Sequence, residues 1–210
     1  MPHRRSLEDQ LVIGASRALR ALFAPAHASR PVPGLADAPP AGAARRQSAA
    51  LMRVNHAGEI AAQGLYHGQA VVARDPAIRA LLEQAGREEA DHLAWCETRL
   101  TELADRPSRL DPLWYAGSFA IGMVAGLASD RVTLGFVAET ERQVERHLAS
   151  HLELLPAEDA RSRAILTQMQ KDEQAHGELA TKSGGAELPV PVRKLMRATA
   201  RVMTTTARWI

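Results

Sequence analysis

Glu89-Ala90-Asp91-His92 and Glu173-Gln174-Ala175-His176 each set a carboxylate and an imidazole three residues apart. On an α-helix that spacing puts both side chains on one face, about one turn apart. A carboxylate and an imidazole presented together are metal donors, and two such pairs suggest a site for two metal ions. The pairs alone are weak evidence, since roughly half a match is expected by chance from the glutamates and histidines present. Their worth depends on what positions them.

The composition points to helices. Of 210 residues, 46% are apolar and 24% charged, an ordinary balance for one globular domain with a substantial core. Aromatics are only 4%, while Ala, Leu, Arg and Glu dominate and no stretch alternates with period two. The expected fold is therefore all-α. A net charge of +2, with no interleaving of arginines and aromatics, gives no case for nucleic acid. Cys96, the single cysteine, excludes an internal disulfide or a CxxC metal site and reads as a small buried residue. Glu8 and Asp9 interrupt the N-terminus before any apolar run, so no signal peptide is expected.

Leu7, Leu11, Ala15, Leu19 and Leu22 predict an amphipathic helix from Leu7 to Phe23. Pro25, Pro31, Pro33, Pro39 and Pro40 then break regular structure, leaving a linker, a surface strap or a partly disordered segment as alternatives. A long helix is expected from Ser48 to about Arg74. Asp75-Pro76 should cap and open the next, which runs to about Ala104. Asp111-Pro112 repeats the signal ahead of an apolar helix ending at Ala128, and Asp130 is the expected cap of a helix reaching Leu155. A further helix should span Glu158 to Lys182, ended by Gly184-Gly185, and a last one Val190 to Ile210. Residues 1–47 thus separate as a helix and Pro/Ala-rich linker from a helical domain over 48–210.

Each ExxH helix follows a long helix with a candidate acid, Glu59 in one case and Glu141 in the other. Counted from the turn at Asp75, Glu59 and Glu89 lie at heights that agree to about 3 Å at 1.5 Å per residue. Glu141 and Glu173 agree equally well about Pro156. One Glu from each of two helices plus Glu-x-x-His from the other two is the donor set of ferritin-like di-metal bundles. Four carboxylates and two imidazoles suit iron or manganese better than zinc. Their four negative charges balance two divalent ions and would be costly to bury without them. Glu139 and Glu145 flank Glu141; Glu145 shares its face and Glu139 points elsewhere.

The stretch Leu51-Met52-Arg53-Val54-Asn55-His56-Ala57-Gly58-Glu59 resembles the opening signature of the demethoxyubiquinone hydroxylase family, di-iron monooxygenases of ubiquinone biosynthesis. The likeness continues through Glu89-Ala90-Asp91-His92, Pro112-Leu113-Trp114, Glu141 and Asp172-Glu173-Gln174-Ala175-His176, across roughly residues 48–210. It implies a ferritin-like four-helix bundle with an added apolar helix and a C-terminal amphipathic helix. It implies Glu59, Glu89, His92, Glu141, Glu173 and His176 as iron ligands, with Glu141 chosen because the family acid stands six residues before a histidine, here His147. Tyr66, on the face of Glu59, resembles a family tyrosine near the metals. His147 is a candidate neighbour of the metals or of substrate, and Asp172 and Glu88 are candidates to orient the ligand histidines.

The reaction the resemblance implies uses two Fe2+ ions, O2 and an external electron donor to hydroxylate the ring of a polyprenylated demethoxy-ubiquinol. One oxygen atom enters the ring and the other leaves as water. No GxGxxG or flavin motif is present, so the electrons come from outside the chain. Leu113–Ala128 is uncharged but shorter than the about 20 residues that a span needs. It fits a core helix or one dipping into a single leaflet. The last helix sets Val192, Leu195, Met196, Thr199, Val202, Met203 and Ile210 against Arg193, Arg197, Arg201 and Arg208, a pattern suited to an anionic membrane surface. The expectation is a peripheral protein on the cytoplasmic side of a bacterial inner membrane. Other ubiquinone-biosynthesis proteins are expected partners, and a homo-oligomer is left open. The rival is a ferritin-like iron-storage or ferroxidase protein, which leaves the apolar helix and cationic tail without a role.

Overall fold

In a computed structural model that describes residues 7–210, the described residues form seven helices and no strand. They are α1 (Leu7–Phe23), α2 (Gly42–Val72), α3 (Pro76–Glu102), α4 (Asp111–Ala128), α5 (Asp130–Leu154), α6 (Ala160–Lys182) and α7 (Val190–Ala207). The antiparallel pairs α2–α3 and α5–α6 pack into a four-helix bundle, and α1, α4 and α7 lie outside it, mainly against α2.

Each bundle helix carries apolar residues on both sides of a short polar belt. On α2 these are Leu51 and Met52, then Glu59, then Leu65 and Tyr66; on α3, Leu82 and Ala85, then Glu89 and His92, then Trp95 and Leu100. On α5, Val137 and Ala138 precede Glu141 and Leu148 follows it; on α6, Ile165 and Met169 precede Glu173 and Ala180 follows. Antiparallel pairing stacks these into two buried apolar clusters with the belt between them. The clusters exclude water from above and below, so the belt's charges stand in a low-dielectric layer.

Several boundaries differ from the sequence expectation for identifiable reasons. α2 begins at Gly42 rather than Ser48, because nothing between the last prolines and Ser48 opposes a helix. Asp75 caps α3 as expected, accepting from Ala77 N at 2.8 Å. Asp130 does not cap α5: Ser129 does, while Asp130 accepts from the backbone N–H groups of Arg74 and Asp75 and so ties the α2–α3 turn to α5. Asp111 does not cap α4 either, but lies in its first turn with Oδ2 3.2 Å from His56 Nδ1.

The apolar helix α4 is a close partner of α2 rather than a core helix. A Cβ on Gly68 would lie 2.1 Å from Phe119 O, and one on Gly122 would lie 2.2 Å from Leu65 O. The two backbones touch there, and only glycine permits it. The opposite face of α4 leaves Leu113, Val124 and Leu127 exposed. No helix among the described residues is long and apolar enough to cross a membrane. The expected apolar stripes of α1 and α7 are divided. On α1, Ala18, Ala21 and Leu22 pack on Ile60, Leu93 and Tyr115, whereas Leu19 and Phe23 face out; the side chains of Leu7, Leu11 and Ala15 lie outside the described ones. On α7, which ends at Ala207 rather than Ile210, Val192, Met196 and Met203 turn partly inward, whereas Leu195 and Val202, and Trp209 in the turn after it, are exposed.

The Pro-rich segment 24–41 is a strap across α3 and α6. Glu97 accepts from Ala26 N at 3.0 Å, Asp91 accepts from Ser29 N at 2.5 Å, and Arg161 Nη1 donates to Gly34 O at 2.5 Å.

Candidate metal centre

The polar belt brings together the six residues expected to bind metal. Donor atoms of Glu59, Glu89, His92 and Glu173 lie within 4.8 Å of one another, and so do those of Glu89, Glu141, Glu173 and His176. Glu89 and Glu173 belong to both groups, which places one carboxylate from each ExxH pair between two adjacent positions. All four glutamates are at most 3% exposed.

The imidazoles are oriented alike. His92 Nδ1 faces Glu89 at 3.0 Å, Glu173 at 3.2 Å and Glu59 at 3.6 Å, while its Nε2 meets Asp172 Oδ2 at 3.0 Å. His176 Nδ1 lies 3.4 Å from Glu89 and 3.5 Å from Glu173, while its Nε2 meets Glu88 Oε2 at 2.6 Å. A carboxylate can only accept, so Asp172 and Glu88 hold the proton on Nε2 and leave Nδ1 aimed at the cluster. Both orienting acids were named from the sequence, and each crosses to the opposite ExxH helix.

The electrostatics of this belt suit bound cations. Burial pushes Glu59 well above the ordinary carboxylate range, and burial together with the charges of Glu173 and Glu89 does the same to Glu141. Glu89 is buried too, but His92 and His176 beside it hold it below that range. Burial would depress the imidazoles, yet the carboxylates around them raise His92 well above its usual value and His176 to about 11. Protons therefore do the neutralising when no metal is bound. Glu59 Oε2, Glu89 Oε1, Glu173 Oε2 and His176 Nδ1 are buried without a hydrogen-bond partner. Buried oxygens and a ring nitrogen converging without donors fit a pair of divalent cations, which satisfy them and displace the protons.

Tyr66 reaches the cluster, its hydroxyl donating to Glu141 Oε1. Burial and the nearby carboxylates raise its pKa well above 10, so it stays a donor. His147 does not join the converging donors. Six residues beyond Glu141 is about 240° of rotation and about 9 Å of rise, so its ring packs instead on His151, 3.9 Å between centroids. Glu139 points away and pairs with Arg142 and Gln143. Glu145 lines a cavity of about 260 Å³ beside the cluster, together with Ala138, Arg142, Glu173, Gly177 and Glu178. Sequence reasoning passed over Ser29 and Arg30, which reach Asp91 and Asp172 from the strap. A lone arginine in a Pro-rich segment has no periodicity that would have marked it.

The family model for ubiquinone biosynthesis protein COQ7 matches residues 46–207, which contain all six clustered residues. A protein of Polynucleobacter asymbioticus named 3-demethoxyubiquinol 3-hydroxylase is 57% identical, covering 96% of this chain and 98% of its own length. Proteins of the same name from Ralstonia pickettii (57% identical, 95% and 98% covered) and Nitrosomonas europaea (54%, 96% and 98%) are similar over the same extent.

Proposed function

The chain belongs to the COQ7 family of ubiquinone biosynthesis proteins, and on that premise we propose that its buried carboxylate–histidine belt holds two iron ions and carries the hydroxylation of 3-demethoxyubiquinol. It is a hydroxylase of ubiquinone biosynthesis acting on a quinol. The relatives' activity favours this over iron storage or a bare ferroxidase.

The observation that carries the iron assignment is the sharing of Glu89 and Glu173 between two donor groups, each completed by its own glutamate and histidine. Glu59, Glu89, His92 and Glu173 would hold one ion, and Glu141, His176 and the same two shared glutamates the other. Bound iron supplies the reduction of O2 and the delivery of one oxygen atom to the electron-rich ring, with electrons from an external donor. The chain's own residues do the rest. Asp172 and Glu88 fix the ring nitrogens, Tyr66 holds Glu141 by a hydrogen bond, and the two apolar clusters keep bulk water from the belt. The cavity along Gly177 is the approach to the centre from solvent.

Membrane attachment is part of the same proposal. A polyprenylated quinol resides in a bilayer. Leu113, Val124 and Leu127 of α4, Leu19 and Phe23 of α1, and Leu195 and Val202 of α7 with Trp209 just after it are exposed apolar side chains on the three outer helices, and Arg197, Arg201 and Arg208 are exposed on and just after α7. Such a surface suits a peripheral protein on the anionic, cytoplasmic face of a bacterial inner membrane.

The test is to load the purified protein with ferrous iron, then supply demethoxy-ubiquinol, a reductant and ¹⁸O2. Labelled hydroxylated quinol with two irons per chain is expected. Two irons without label would overturn the assignment of the chemistry to this centre. Flotation with vesicles containing anionic lipid, and its loss in an Arg197→Glu/Arg201→Glu variant, is the expected result for the membrane surface; no flotation of the unaltered protein sinks that part.

A further inference from the structure

We propose that Arg30, in the strap between α1 and α2, is a positioning residue that makes the Glu59–His92 metal site the tighter of the two. The proposal rests on the di-metal reading above. Both ligand histidines lean on a carboxylate through Nε2, but the two carboxylates are held very differently.

Asp172 is fixed from three directions. Its Oδ2 accepts from His92 Nε2 at 3.0 Å and from Arg30 Nη1 at 2.8 Å, and its Oδ1 accepts from Gln168 Nε2 at 2.9 Å. Arg30 is itself anchored. Its Nε donates to Asp91 Oδ2 at 2.7 Å, its guanidinium carbon stands 4.7 Å from the centre of the Trp95 ring, and its carbonyl accepts from Trp95 Nε1 at 3.3 Å. Asp91 also accepts from Ser29 N at 2.5 Å and from its hydroxyl at 3.0 and 3.1 Å. The strap therefore clamps two bundle helices, through Asp91 of α3 and Asp172 of α6, and passes that rigidity to one imidazole.

Glu88 has no such clamp. It meets His176 Nε2 at 2.6 Å, and its other oxygen accepts from Gln84, one turn away on the same exposed helix face. Its side chain is 37% exposed, against 17% for Asp172. His176 can therefore swing with Glu88, whereas His92 cannot move without displacing Arg30 and the strap. Ser29 and Arg30 lie outside the residues 46–207 that the family model matches. The tighter site is thus set from outside the bundle.

The full-length protein, loaded with Fe2+ or with Co2+ as a spectroscopic probe, is challenged with a chelator while metal release is followed. The unaltered protein should release its two ions in a fast and a slow phase. Arg30→Gln should accelerate the slow phase by up to about 10-fold, the lower end of the cost of losing a partner that orients a ligand histidine directly, because Asp172 stays but loses its clamp. It should also change the ligand-field bands of one cobalt. Arg30→Lys should restore part of the slow phase, because an ammonium can reach Asp172 but cannot span both acids. Glu88→Gln should accelerate only the fast phase. Arg161→Gln, which frees the strap at Gly34, controls for general loosening and should leave the slow phase unchanged. Release from Arg30→Gln at the unaltered rates, or equal acceleration by Arg161→Gln, overturns the proposal. Fewer than two ions in the unaltered protein overturns the di-metal reading itself, and the proposal with it.

Discussion

The α2–α3 and α5–α6 halves of the centre are built from the same parts and finished differently. Each supplies a glutamate, an ExxH pair and, one residue before the pair, an acid that crosses to the other half's histidine. The residue after each histidine departs from this symmetry. After His92 comes Leu93, buried with Ile60 and Tyr115 beneath α1 and Ala26. After His176 comes Gly177, and its missing side chain leaves the cavity that runs down to Glu173. The partners of the lone glutamates differ as well: Tyr66, seven residues past Glu59, donates to Glu141, whereas the matching position past Glu141 is the buried Leu148. Two equivalent sets of donors thus have one closed flank, under Leu93, and one open flank, at Gly177, and the difference lies in what surrounds the donors.

Replacing a shared residue should erase the distinction. Glu173→Ala removes a donor from both groups, so both ions should be lost and hydroxylation should fall by more than about 10³-fold. Glu59→Ala should instead leave one ion on the α5–α6 side. Metal analysis of the two variants side by side checks this, and full occupancy in Glu173→Ala refutes the sharing. Gly177→Leu, which gives the open half the residue of the sealed half, should keep two ions yet lower turnover by about 10²-fold through lost access. A Cβ there would lie 3.3 Å from Glu141 Cβ, and because Gly177 lines the cavity the rest of the side chain would enter it. Unchanged turnover with two ions bound would show that the cavity is not the approach. Tyr66→Phe leaves a buried carboxylate oxygen of Glu141 without its donor. It should weaken retention of one ion by about 10-fold, as expected for a hydrogen bond to a charged group, with no effect on the other.

Much of this was legible in the sequence because helices make height and face arithmetic. The ExxH spacing fixes the face, and distances from the turns at Asp75 and Pro156 fix the level, so convergence of the six residues follows without tertiary information. Asp130 was misread for a local reason: Ser129 beside it could make the same cap, and only the packed structure shows the Arg74 and Asp75 backbone claiming the aspartate. The glycines of α4 carry no visible role in the sequence of that helix alone. Their meaning depended on Gly64 and Gly68 of α2, a pairing no one-helix pattern displays. Arg30 was invisible because its contacts are with residues 61 and 142 positions away in a segment without period. What surrounds the donors, unlike the donors, is written in such long-range contacts.

The scaffold shared by the two halves also responds to acid. His67, whose Nδ1 lies 2.8 Å from the Tyr115 hydroxyl between α2 and α4, is lowered to about 4 by burial and by the charge of Arg17. Its pKa in the unfolded chain is about 6.5. Between those values the unfolded chain binds more protons than the folded one, so stability rises with pH across this window. The contribution is complete above about 6.5 and is lost as the pH falls toward 4. For the metal-free protein, replacing His67 with Gln, which does not titrate and can still bond Tyr115, should flatten part of this slope. The gain at pH 4.5 relative to pH 7 should be about 1–2 kcal/mol, or several degrees in the thermal midpoint of a chain this size. Thermal unfolding of the two proteins at both pH values measures the difference. Parallel slopes would mean that His67 is protonated as readily in the fold as outside it, and that the acid dependence arises at other groups, such as His151, which burial lowers to about 3.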